Sequence, residues 1–220
     1  MLKFYIMGEF YCRGEETRIC LVKKYDIVPI SHMPLLRSQT KRSATRDIIT
    51  KEYYCFSYKK RHSNEKPESF IVGMHAAKHF LELLKHPTVP IFNILKSHNG
   101  NTDVRENIST SIDKDKWNPL ALELYRIINI ILMTWDTNQG PSSEILLEIR
   151  NNKTREPPLR LIKSVNTIIS KDSRKRTIYL MLEEFKKDND IKDFKFPLIT
   201  TVLLENKDTI KNYITGTGNE

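Results

Sequence analysis

Ser69-Phe70-Ile71-Val72-Gly73 runs without a break into Met74-His75-Ala76-Ala77-Lys78-His79-Phe80-Leu81-Glu82-Leu83-Leu84-Lys85. The change of rhythm inside this stretch decides the fold class. Its first five residues read as a short buried strand. From Met74 onward the apolar positions Ala77, Phe80, Leu81 and Leu84 recur at helical spacing. His86-Pro87 closes the helix, because proline has no N–H to continue the hydrogen-bond ladder. A strand that feeds a helix directly, in a region otherwise rich in strand-forming residues, predicts an α+β domain.

Upstream, Lys3 to Tyr11 and Arg18 to Ile30 are rich in aromatic and β-branched residues, with Gly14-Glu15-Glu16 between them as a turn. That pattern predicts a hairpin. Ser31 to Arg46 reads as a basic loop, Ile48 to Tyr58 as a tyrosine-rich strand, and Lys59-Lys60-Arg61-His62-Ser63-Asn64 as a basic turn. Downstream, the polar stretch with Asn99-Gly100-Asn101 reads as a linker. Beyond Trp117 the pattern is helical throughout. Asn118-Pro119 starts a helix with the wide apolar stripe Leu120, Leu124, Ile127, Ile128, Ile131 and Leu132. Further helices are expected from Ser143 to Asn151, after Pro157-Pro158, after the turn Ser170-Lys171-Asp172-Ser173, and after Pro197. The sequence therefore predicts an α+β protein. A small mixed strand/helix domain (1–97) is followed by a polar linker (98–116) and an all-helical domain (117–220).

Lysine and arginine number 36 against 27 acids, a net charge of +9 spread along the chain. Such a positive field raises association rates with polyanions and gives affinity for phosphate backbones. Nucleic acid, DNA or RNA, is thus the expected partner. Three cysteines, an odd count, fit a reducing compartment. The amino terminus is interrupted by acid too early for a signal peptide. The longest apolar run, around Ile127 to Met133, is far short of the ~20 residues a membrane helix needs. A cytoplasmic protein with no membrane partner is expected.

Three basic clusters are candidate nucleic-acid contacts: Arg37, Lys41, Arg42 and Arg46; Lys59, Lys60 and Arg61; and Lys171, Arg174, Lys175 and Arg176. Cations at these points would neutralise phosphates, while Tyr54 and Tyr58 could stack on unpaired bases. The third cluster also lies where a helix-turn-helix would begin its recognition helix. Solvated charge and core aromatics are the competing reading for each cluster alone; together the clusters favour binding.

A zinc site is a second candidate. His75 and His79 are four apart, so on a helix they share a face. Cys12, Cys20 and Cys55 lie in the preceding segments, and thiolate with imidazole is a favoured zinc set. No Cys-x-x-Cys pair anchors it, however. Residues 70–81 resemble, over a dozen positions, the closing strand and helix of treble-clef zinc modules, with Ala76 where those carry a cysteine. A third candidate is a Mg²⁺-dependent nuclease built on Asp136 and Glu148-Ile149-Arg150, an acid pair and a cation. Gly140-Pro141-Ser142 reads as a helix start, which would put Glu144 and Glu148 on a solvated face instead. With 7 glycines, and with the phosphate-binding loops and the nucleophile elbow absent, nucleotide hydrolysis is not expected. Nucleic-acid binding leads, with a metal-dependent nuclease or a protein–protein adaptor with a basic docking surface as alternatives.

Overall fold

A computed structural model describes residues 10–96, 117–135, 141–206 and 211–215. The expected linker, most of the first expected strand and Asp136 lie outside these residues. The described chain is α+β, as the sequence pattern requires, and divides into two units at Val89/Pro90, with Leu36–Ser38 counted in the second. Among the described residues no helix is long and apolar enough to cross a membrane.

The first unit opens with α1 (Glu15–Lys24), followed by β1 (Tyr25–Pro34), β2 (Glu52–Lys60), β3 (Glu68–Gly73) and α2 (Met74–Leu83). Strand order is β1-β2-β3, antiparallel throughout. Pro29 sits in β1 where the register with β2 slips between Pro29 and Ser31, a bulge that spares the missing N–H. Phe80 of α2 packs against Phe56 and Phe70 of the sheet, both ring centroids 5.4 Å away. Cys12, Ile27, Tyr54, Val72, Ala76, Ala77, Leu81 and Val89 complete this core.

The expected strand from Arg18 to Ile30 is corrected here. Its first half is the helix α1, and the Gly14-Glu15-Glu16 turn is that helix's start, with Gly14 at φ 84. Only glycine takes this φ without cost, so Gly14 is fixed by backbone geometry. The first hairpin is instead β1 with β2, whose long connection carries a small loop of its own. Arg42 bridges Ile48, and the Ile49 N–H donates to the Lys41 carbonyl. The tip of that loop is stitched inward: Ala44 N–H donates to the Ile71 carbonyl (2.8 Å) and Cys12 N–H to the Ala44 carbonyl (3.1 Å).

The second unit is built around α3 (Pro119–Thr134), with α4 (Ser142–Asn151), α5 (Leu159–Ser170), α6 (Ile178–Lys186) and α7 (Pro197–Glu205). Asn118 caps α3, its side-chain oxygen accepting from the N–H groups of Leu120 and Ala121. Ile127 to Met133 are all buried, so α3 is wrapped on every side. No residue ahead of α7 caps it locally. Glu123 of α3 reaches over instead, and its carboxylate accepts from the Leu198 and Ile199 N–H groups at 3.3 and 3.0 Å.

Candidate functional site

Gly14 and Gly73, the residues at which α1 and α2 begin, line one cleft of about 670 Å³ in the first unit. Neither start has a side-chain cap. The first N–H groups and positive dipole ends of two helices, neither answered by its own N-cap side chain, therefore border one cleft. Acidic residues occupy the first turn of α1 but not that of α2, where His75 stands instead. The stitched loop adds Ser43 and Thr45 to the wall of this cleft, and Lys51 and the apolar Ile48 extend it. Thr45 Oγ1 lies 2.9 Å from Ser43 Oγ and donates to Asp47 across 2.8 Å.

Arg18 is the deepest charge of the cleft, 3% exposed. Its Nε donates to His79 Nδ1 at 2.8 Å and its Nη1 to the Cys12 carbonyl at 3.2 Å. Both acceptors are neutral groups, and no carboxylate pairs with it among the described residues. Three carboxylates also line the cleft. Asp47 is exposed and pairs with Arg13 at 3.8 Å, Glu52 faces His32 at 3.1 Å, and Glu15 is exposed at the start of α1. Formal charges roughly balance, but their depths differ. The acids are at the rim or engaged elsewhere, while the floor is an arginine with no counter-ion. Burying such a charge is costly unless an anion comes to it.

The residues singled out by sequence are distributed differently. Arg46 is exposed, with its guanidinium 4.9 Å from the Tyr11 ring centroid, and Tyr11 is itself 43% exposed. Arg42, Lys60 and Arg61 are also exposed, Lys59 is half-buried, and Arg61 pairs with Asp26 at 3.5 Å. Lys41 is buried, lying 5.7 Å from the Tyr53 ring centroid. Tyr54 is 1% exposed and donates to the Val89 carbonyl, and Tyr58 packs among Phe10, Tyr25 and Phe70 while bonding Glu68. Tyr54 thus presents no face for stacking, and Tyr58 is half-buried among these rings.

In the second unit Arg37 is exposed, its backbone N–H held by Asn189. Arg176 is consumed internally, bonded to Asp172 at 2.7 Å and to Glu184 at 2.7 Å, and Arg174 pairs with Glu184 at 2.5 Å. Lys171 and Lys175 stay exposed. The expected recognition-helix start is thus mainly an internal ion network that shapes the turn before α6.

His75 and His79 do share α2, but His79 Nδ1 is spent on Arg18. Cys12 is buried in the apolar core, and burial pushes its thiol up to about 12. Cys55 is buried in β2 and Cys20 is exposed on α1. Among the described residues no three histidines, cysteines or acids gather as metal ligands do. Glu148 and Arg150 lie on helix α4; Glu148 pairs with Arg160, and Arg150 lies beside Tyr125.

Sequence reasoning passed over Tyr11, Arg13, Arg18, Ser43, Thr45 and Lys51. They come from separate segments, and no spacing rule joins them. The one local clue was Gly14 and Gly73, each directly ahead of a helix. No curated protein and no solved structure matches the chain. A family model matches residues 11–214, nearly the whole of it, and the chain belongs to the family described as Uncharacterised conserved protein UCP028583.

Proposed function

We propose that this protein binds nucleic acid through its first unit, in a reducing compartment such as the cytoplasm. The observation that carries the reading is the cleft lined by two uncapped helix starts and a buried arginine that has no counter-ion among the described residues. Helix N-termini and guanidinium groups are the donors that phosphate oxygens take up most readily. Exposed Arg42 and Arg46 flank the loop residues that line the cleft and can follow a phosphate backbone, exposed Lys60 stands at the other end of β2, and the Tyr11–Arg46 pair offers a ring and a guanidinium for stacking. The three cysteines are free thiols, which fits the compartment.

The test is binding of labelled duplex DNA, single-stranded DNA and RNA across a salt series, with Mg²⁺ present and then chelated. A steep fall of affinity with salt and an intact probe is expected, as is weaker binding by Arg46→Ala and Lys60→Ala. Each such substitution should reduce the salt slope by about one phosphate contact. Absence of binding to every probe at low salt sinks the proposal. Probe degradation that stops on chelation replaces it with a nuclease.

A further inference from the structure

We infer that the cleft between the starts of α1 and α2 is a site for a phosphomonoester, the terminal phosphate of a nucleic-acid strand. This rests on the nucleic-acid reading above and narrows it. Two independent features converge on one volume. The first is the open start of α2 at Gly73, with no acid in its first turn to answer the dipole. The second is the Arg18 guanidinium, 97% out of solvent, whose two hydrogen bonds leave Nη2 without an acceptor and its charge without a carboxylate among the described residues. Nη2 is not sealed in the core either: the described buried polar atoms that lack partners are Ser143 Oγ and Asn212 Nδ2 alone. Arg18 is one of the residues that line the cleft.

The depth of Arg18 favours a strand end over an internal phosphate. An internal phosphodiester carries one charge, is esterified on both sides and cannot descend far without drawing two sugars with it. A terminal phosphate carries about 1.5 to 2 charges and three free oxygens. Those oxygens match three donor sets that line the cleft: the first N–H groups of α2, Arg18 Nη2, and the Ser43 hydroxyl. The volume of about 670 Å³ exceeds what a phosphate needs, and Ile48, 63% exposed in the cleft lining, gives the adjoining sugar or base an apolar surface.

The experiment uses the full chain and one oligonucleotide sequence made with a 5′-phosphate, a 3′-phosphate, or hydroxyls at both ends. Two variants accompany it, Arg18→Gln and Gly73→Asp. Gly73 has φ −69 and ψ 169, suited to an N-cap aspartate, and a Cβ there meets nothing within 4 Å. Gly73→Asp should therefore keep or raise the melting temperature while placing a carboxylate where the phosphate would sit. One phosphorylated end is expected to bind about tenfold or more tighter than the hydroxyl-ended probe, the scale of one charge-assisted hydrogen bond. Gly73→Asp is expected to erase that preference. Equal affinity for all three probes, with a steep salt slope, overturns the terminal-phosphate site and leaves nucleic-acid binding standing. Failure of every oligonucleotide to bind overturns the nucleic-acid reading and the strand-end occupant with it. If adenosine monophosphate then raises the melting temperature of the natural sequence but not of Gly73→Asp, the phosphomonoester site survives without the strand.

Discussion

Arg18 Nε and His79 Nδ1 meet at 2.8 Å, one hydrogen bond linking α1 to α2, the helix packed on the sheet. It holds the guanidinium in place beneath the cleft. His79→Ala would leave a buried charged donor without its acceptor, at a cost of about 1–3 kcal/mol. His75→Ala, one turn earlier and exposed, should stay within about 0.5 kcal/mol. Urea unfolding followed by circular dichroism distinguishes the two. Equal effects would mean that the Arg18–His79 bond carries no stability.

Asp172 is a case in which partners overcome burial. Burial alone raises its carboxyl, but hydrogen bonds from the Arg176 side chain and backbone, and from Trp135, bring it down to about 2 from an ordinary 3.8. A lowered folded value means the unfolded chain takes up the proton first. The stabilisation is therefore complete above pH 3.8 and is lost as pH falls through 2. It amounts to about 2 kcal/mol. Asp172→Asn should lose this at neutral pH and flatten the acid limb of the unfolding profile. Trp135 Nε1, which donates to Asp172 at 2.8 Å, provides a fluorescence signal at the site.

Glu123 runs the other way. Burial raises its carboxyl, and the Ile199 and Leu198 N–H groups and Arg126 only partly oppose this. The folded state then holds the proton more tightly than the unfolded state. Its contribution is most favourable below the ordinary value of 4.5 and declines as pH rises through the raised folded value. Glu123→Gln should remove that decline, whereas Glu123→Ala should cost about 1–3 kcal/mol at any pH by stranding two N–H groups. Chemical unfolding at pH 4 and pH 8 for the three proteins measures both effects.

The cysteines should separate cleanly by reactivity. Cys20 is exposed, while Cys12 and Cys55 are buried, Cys12 with its thiol pushed up to about 12. Iodoacetamide at pH 8 should add one group to the folded chain, at Cys20, and three after denaturation. Intact mass followed by peptide mapping reads the result. Rapid alkylation of Cys12 in the folded protein would contradict its place in the core.

The helices were legible because their apolar faces and their stops coincide. Phe80, Leu81 and Leu84 mark one face of α2, and Asn118-Pro119 marks the start of α3 by side-chain chemistry alone. α1 was not legible because its pattern is inverted: Arg18 is buried while Ile19 and Cys20 are exposed. Its β-branched residues also merge with those of β1 without a glycine or proline between them. The tyrosines of β2 misled for a related reason. Tyr53 to Ser57 are all buried, so the strand is covered on both faces and lacks the alternation that would have shown which rings were hidden. The cleft stayed invisible because it draws on Gly14 to Arg18, Ser43 to Asp47, Lys51 and Gly73 to His75, segments that only the folded chain brings together.

The carboxylate that opens α7 also imposes an order on synthesis. Glu123 leaves the ribosome 76 residues ahead of Ile199, the more distant of its two donors. Until that donor emerges, the central helix carries an acid on a face that will later be closed, and water keeps it hydrated. The nascent second unit therefore lacks these two hydrogen bonds until α7 arrives, so truncation before Pro197 would leave Glu123 without the Leu198 and Ile199 donors.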